Sequence, residues 1–290
     1  MLDATAAAHV LTSAERSQFA RDGYVLIPAA LSERQRAEML AVSLERDRRF
    51  RMEPNVGPHH VLNEHDLVGK DQVWFDTVSL PKVFVKVLGL MGWNIQLFHT
   101  QLLVTPPAPQ GSEPGPYGWH QDNNRMNRDL GTGLHPMVSL KVGYFLTALP
   151  TSGMGNLCVV PGSHLMESTR EGSLATFRGS ASWPGDVSPE HVEVIAQAGD
   201  AIVFDRRLWH SASTNISETT RVFVTFGYSY RWLRTKSAMH FGTELDSFDP
   251  LLRQLLGAAT SANGYFDPQP DDVPLRAWIE EHLGPDAVVP

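Results

Sequence analysis

The run Ile95-Gln96-Leu97-Phe98-His99-Thr100-Gln101-Leu102-Leu103-Val104-Thr105, stopped by Pro106-Pro107, constrains this chain more than any other stretch. Its apolar and branched residues favour an extended backbone, and two prolines in a row end sheet pairing. A strand of this kind needs partners. Val138 to Leu149, Asn156 to Val160, residues 191 to 197, Ala201 to Asp205 and Arg221 to Tyr230 read as further strands, separated by Gly- and Pro-rich turns. Val222, Val224, Phe226 and Tyr228 share one face of the last of these. Many short strands punctuated in this way, with helices at either end, imply a β-sandwich or barrel with helical flanks.

The helices are signalled by their starts. Thr12-Ser13-Ala14-Glu15 and Ser32-Glu33-Arg34-Gln35 are capping boxes, opening helices that run to about Asp22 and Arg48, with Gly23 ending the first. A third helix is expected from near Leu80, and two more near Asp249 to Leu256 and Leu275 to Leu283. Arg51 to Asp71 and Asn123 to Pro136 read as loops, and 165–189 as a long surface excursion or lid. The whole is expected to be one domain: an N-terminal helical scaffold over 12–94, a β core over about 95–230 and a helical tail over 231–290.

Composition narrows the class. With 42% hydrophobic and 19% charged residues in 290, the chain is globular. A formal charge of −8 argues against nucleic-acid partners, which need clustered cations. No apolar run is long enough for a membrane helix, and Met1 to Val10 lacks the features of a signal peptide, so a cytoplasmic protein is expected. The single cysteine, Cys158, rules out an internal disulfide and any cysteine-based zinc or iron–sulfur site. Its place in Leu157-Cys158-Val159-Val160 reads as buried packing.

Chemistry concentrates in Gly118-Trp119-His120-Gln121-Asp122. On an extended backbone His120 and Asp122 point to the same side, so an imidazole and a carboxylate reach one metal ion. Two ligands hold a catalytic metal poorly. His210, just beyond the apolar strand Ala201 to Asp205, is the best third ligand, completing the two-histidine, one-carboxylate set that suits oxygen-activating iron(II). Arg221 begins the strand that follows. A guanidinium at the inner end of a barrel strand needs an anion, and a dicarboxylate supplies one in bidentate fashion; a strand-end arginine reaching solvent is the alternative.

From Thr12 to Tyr230 the chain resembles the phytanoyl-CoA dioxygenase family of iron(II)- and 2-oxoglutarate-dependent oxygenases. The resemblance rests on the Phe98 to Pro107 run, Trp119-His120-Gln121-Asp122, Gly155-Asn156-Leu157-Cys158-Val159-Val160-Pro161-Gly162-Ser163-His164, Ala198-Gly199-Asp200, and His210 with Asn215, Ser217 and Arg221. It implies a double-stranded β-helix, the cupin-like jelly roll. It also implies iron(II) on His120, Asp122 and His210, 2-oxoglutarate on Arg221, and O2 as oxidant. Gln101, Thr105 and Ser213 are further candidates for 2-oxoglutarate. The family often has Ser two positions after the distal histidine, where this chain has Ala212 flanked by Ser211 and Ser213; some members have Lys in place of Thr105.

Trp119, Asn123, Arg125 and Trp209, next to the ligands, are candidate substrate contacts; packing or solvated-loop roles are the alternatives. His164 reads as structural, His99 as a satisfied core histidine, and Arg206 and Arg207 as surface residues. The implied reaction decarboxylates 2-oxoglutarate to succinate and CO2 while hydroxylating a small molecule at an unactivated carbon. Desaturation, epoxidation and endoperoxide formation are alternative outcomes, and a non-redox jelly-roll binding protein the alternative class. The carboxylate at Asp122 argues against halogenation. No basic cluster suits the phosphates of CoA, so a free small molecule of specialised metabolism is expected.

Overall fold

The computed structural model describes residues 2, 4–168, 190–237 and 242–288. Two antiparallel sheets face one another. The larger has the order β1 (Tyr24–Ile27), β8 (Ala201–Asp205), β5 (Ser139–Phe145), β10 (Arg221–Tyr230), β3 (Ile95–Thr105) and β2 (Leu62–His65). The smaller runs β4 (Pro116–His120), β9 (His210–Ser213), β6 (Leu157–Val159) and β7 (Val192–Glu193). This is the jelly-roll arrangement. The helices are α1 (Ser13–Asp22), α2 (Glu33–Phe50), α3 (Gln72–Val78), α4 (Pro81–Met91), α5 (Asn124–Leu130), α6 (Pro250–Leu255) and α7 (Pro274–Leu283). Both capping boxes form, and Gly23 ends α1 at φ 82°, a conformation that costs glycine little.

Alternation along β10 divides the interior in two. Val222, Val224, Phe226 and Tyr228 join Leu102, Val104, Val142 and Tyr144 in a core shared with Met39, Trp74 and Phe84 of the helices, and with Trp278 of the tail. Phe223 points the other way and packs with Phe145, Ile202 and Phe204 against Leu157 and Val159 of the smaller sheet. The space between the sheets is therefore lined by the odd-numbered residues of β10, and Arg221 and Thr225 share that face.

Several elements differ from expectation. Leu62–His65 forms an edge strand in what reads as a loop, α3 precedes the helix expected from Leu80, α5 lies in the stretch after Asp122, and His210 opens a strand of its own. The two strands and α5 are short and polar, so tertiary context rather than local pattern forms them, while α3 is apolar but only seven residues long. The excursion expected over 165–189 lies, from residue 169, outside the described residues.

Gly143 and Phe223 show how tightly the inter-sheet face is packed. A Cβ at Gly143 would stand 2.1 Å from Phe223 Cζ, so the missing side chain is what admits the ring. Gly143→Ala is expected to destabilise the fold by about 1–3 kcal/mol through overpacking. The check is the midpoint of urea unfolding, and an unchanged midpoint would show that Phe223 moves aside freely.

Candidate active site

His120 ends β4 and stands directly across the smaller sheet from His210, which opens β9. Directly paired residues project to the same side. Here that is the inner side: the His210 ring meets the Phe204 ring at 5.1 Å, and the two imidazoles lie 4.2 Å apart between centroids. Asp122 follows β4, anchored by its backbone N–H donating to Arg206 O at 2.9 Å, and its Oδ2 lies 3.9 Å from His210 Nε2. One donor atom from each of the three lies within 4.8 Å of the others.

The protonation of this cluster is set by its surroundings. His120 Nδ1 lies 2.8 Å from Gly118 O and His210 Nδ1 lies 2.8 Å from Leu208 O. A carbonyl only accepts, so each Nδ1 carries the proton and each Nε2 lone pair is free. Burial lowers both histidines, His210 to about 3, which keeps them neutral. Burial alone would push the Asp122 carboxyl up. Lys141, with the two histidines, overrides it and holds the carboxyl well below the usual range. Lys141 Nζ donates to Asp122 Oδ1 at 2.7 Å, while Asp122 Oδ2 is buried with no hydrogen-bond partner. Two neutral imidazoles and one carboxylate with an unspent oxygen fit a divalent transition metal, iron(II) among them.

Arg221 is the second buried charge between the sheets. It pairs in register with Thr105 of β3, lies over the Phe223 ring at 4.5 Å and leaves Nε without a partner. No carboxylate among the described residues pairs with it, and burial lowers its guanidinium to about 10. A Cβ at Gly155 would lie 3.3 Å from Arg221 Cδ and 3.6 Å from Thr105 Cγ2, so glycine there leaves room beside the guanidinium stem. An unpaired buried cation of this kind is strongly disfavoured unless an anion joins it.

A cavity of about 500 Å3 opens beside His120 and Asp122, lined also by Phe98, Gln101, Asn123, Met126 and Lys236. Gln101 belongs to this cavity rather than to the Arg221 end of β3, and its Nε2 donates to Asn63 Oδ1 at 2.8 Å. Asn123 sits there at φ 63°, a left-handed conformation that Asn tolerates. Arg125 reaches the cavity rim but is exposed and paired with Asp129 at 3.0 Å.

The structure corrects four residues. Trp119 and Trp209 are neighbours in sequence of His120 and His210, so strand alternation turns them to the opposite face, where they pack with Cys158. Ser213 is turned outward for the same reason, since Ala212 is the residue that shares a face with His210. Arg206, read as a surface residue, is buried and donates to Asn127 Oδ1 at 2.5 Å and Pro136 O at 3.0 Å. His99 is also buried, with neither ring nitrogen hydrogen-bonded. Lys141 was not singled out in the sequence, although a lone cation inside the apolar strand Ser139–Phe145 is a legible signal.

A family model described as phytanoyl-CoA dioxygenase (PhyH) matches residues 19–223. Among solved structures, the chain is similar to the non-heme alpha-ketoglutarate-dependent carbocyclase SnoK from nogalamycin biosynthesis: 24% identity over 83% of this chain and 92% of that one, TM-score 0.60. The alpha-ketoglutarate-dependent epimerase SnoN from the same biosynthesis matches at 22% identity over 78% and 82%, TM-score 0.57. HygX from Streptomyces hygroscopicus, with nickel and 2-oxoglutarate bound, matches at 17% identity over 79% and 93%, TM-score 0.59. These likenesses are likenesses of fold. Among the described residues no helix is long and apolar enough to cross a membrane.

Two outcomes follow from the electrostatics. Unfolded, His210 takes a proton near 6.5; folded, only near about 3. Unfolding of the metal-free protein therefore takes up a proton between these values, and stability falls as pH drops through that window, by up to about 1.4 kcal/mol per unit for this group. Thermal melts in chelator across that range check it, with His210→Gln expected to flatten the slope. Lys141→Met strands the Asp122 charge, so the metal-free protein should lose about 3–5 kcal/mol. A bound divalent ion should restore part of that loss, and equal destabilisation with and without metal would contradict the assignment.

Proposed function

Because the chain belongs to the phytanoyl-CoA dioxygenase family, we propose that it is an iron(II)- and 2-oxoglutarate-dependent oxygenase of small molecules. In this reading His120, Asp122 and His210 hold the iron and Arg221 receives the distal carboxylate of 2-oxoglutarate. The observation that carries it is the pairing of two unmet demands between the same two sheets. One is a ligand set with two free Nε2 atoms and a free carboxylate oxygen; the other is a buried guanidinium without an acid. Iron(II) bound there supplies dioxygen activation, coupled to decarboxylation of 2-oxoglutarate to succinate and CO2.

The chain's own residues supply positioning. Lys141 holds Asp122 Oδ1 and leaves Oδ2 to the metal. The carbonyls of Gly118 and Leu208 fix the imidazole tautomers. Arg221, with the Thr105 hydroxyl beside it, seats the co-substrate, and the ring of Phe223 under the guanidinium keeps water away from it. The substrate occupies the cavity of about 500 Å3, where Phe98 and Met126 offer apolar surface and Gln101 and Asn123 offer hydrogen bonds. Such a volume suits a compact natural-product scaffold. The preferred outcome is hydroxylation at an unactivated carbon. Epimerisation or ring closure is the second reading, favoured by the activities named for SnoN and SnoK.

With iron(II), the purified protein is expected to convert 2-oxoglutarate to succinate, and His120→Ala to abolish this. Arg221→Met should raise the KM for 2-oxoglutarate roughly ten- to hundred-fold through loss of charged hydrogen bonds, with metal affinity unchanged. Succinate formed at the normal rate by His120→Ala would defeat the reading.

A further inference from the structure

The smaller sheet has a second face. On it, turned away from His120 and His210, Cys158 of β6 stands between its direct partners Ser211 of β9 and Glu193 of β7. His191, two positions before Glu193, brings its ring to the same place. One donor atom from each of Cys158, His191 and Glu193 lies within 4.8 Å of the others. We propose that Cys158, His191 and Glu193 form a second metal site, for zinc(II), separate from the His120–Asp122–His210 cluster.

Three observations support it. The first is distance. A tetrahedral zinc ion has bonds of about 2.0–2.3 Å, which sets its ligands on the order of 3.5 Å apart. Side chains already within 4.8 Å of one another close that gap by rotamer adjustment. The second is charge. A thiolate, a carboxylate and a neutral imidazole balance a divalent cation, and a neutral cluster is the form that a buried site tolerates. Cys158 is fully buried, while His191 and Glu193 are half-buried.

The third is hydrogen bonding. The Ser211 and Ser213 hydroxyls lie against the Cys158 thiol, buried, and among the described residues neither has another hydrogen-bond partner. Hydroxyls placed there donate to a metal-bound thiolate, the support that outer partners give to ligands. Glu193 Oε2 already accepts from Gly153 N at 2.9 Å, which orients the carboxylate and leaves Oε1 for the ion. The Trp119 ring meets the His191 ring edge-on at 5.3 Å and walls that side. Burial and Glu193 push the Cys158 thiol up to about 12, so the metal-free cysteine is a neutral thiol. Binding forms the S–Zn bond and releases that proton to solvent. A single cysteine thus excludes an all-cysteine zinc site but not this mixed one.

Cobalt(II), a spectroscopic substitute for zinc(II), tests the site on the full chain. The expected result is two ions per chain, one of them giving a sulfur-to-cobalt charge-transfer band. Cys158→Ala should remove the band and one ion; His120→Ala should remove the other ion and keep the band. Glu193→Gln, which preserves the acceptor for Gly153, should weaken the thiolate-bound ion at least roughly tenfold even if Cys158→Ala fails to fold. No band in the parent chain, a band that survives Cys158→Ala, or unchanged affinity in Glu193→Gln would overturn the proposal. The three overturning outcomes leave untouched the iron reading, whose own failure shows in succinate formation.

Discussion

The pairing of β4 with β9 is the constraint on which the rest of the site depends. It sets His120 opposite His210, residues 90 positions apart in the chain, on the same side of one small sheet. Backbone hydrogen bonds thereby do what no local motif does: they bring the second imidazole to the first and aim both between the sheets. The ladder is irregular between Tyr117 and His120, and the chain then leaves the strand so that Asp122 turns toward His210. The short ends of two strands, rather than flexible loops, thus carry the histidines. That is the rigidity a positioned metal requires.

Charge arranges the rest. Between the sheets stand two buried charges, Asp122 and Arg221, with the largely buried Lys141 beside the first. Asp122 and Lys141 answer each other, while Arg221 has no answering carboxylate among the described residues. Left as it is, the guanidinium at the Arg221 end is an unmatched cation among the described residues. At the other end stands an unspent carboxylate oxygen. A divalent metal at one end and a dicarboxylate spanning toward the other would satisfy both, which explains why so unfavourable an arrangement persists in the fold. Lys141 has a double use in that arrangement. It stabilises the ionised carboxylate before metal arrives, and it occupies the oxygen that would otherwise chelate and fill a position needed for reactants.

What was legible in the sequence follows from the physics of each element. Ile95–Thr105, Ala201–Asp205 and Arg221–Tyr230 are long or strongly apolar, so pattern alone marks their ends. His210–Ser213 reads His-Ser-Ala-Ser, without a branched or aromatic residue, and only its neighbours make it a strand. Missing that strand had a consequence. The parity that places His210 inward also turns Ser211, Ser213 and Trp209 outward, away from the side on which the two imidazoles meet. Arg206 and Lys141 are the converse case. Both are charged residues whose burial depends on partners brought from elsewhere, Asn127 and Pro136 for one and Asp122 for the other.

The same alternation gives one thin sheet two separate sets of potential metal donors. Val159 and His210 face the inner side, with His120, whereas Cys158 and Ser211, one step along the same strands, face the other way. The backbone layer stands between them, so each set of donors is preorganised by the ladder yet cannot share an ion with the other. The thiol is the donor that divides them: the inner cluster holds only imidazole and carboxylate, and the chain's single cysteine lies on the outer face. With iron(II) held by the inner cluster, a thiol on that face would compete for the metal and be exposed to its oxygen chemistry. Placement on the opposite face keeps the Cys158 thiol apart from it.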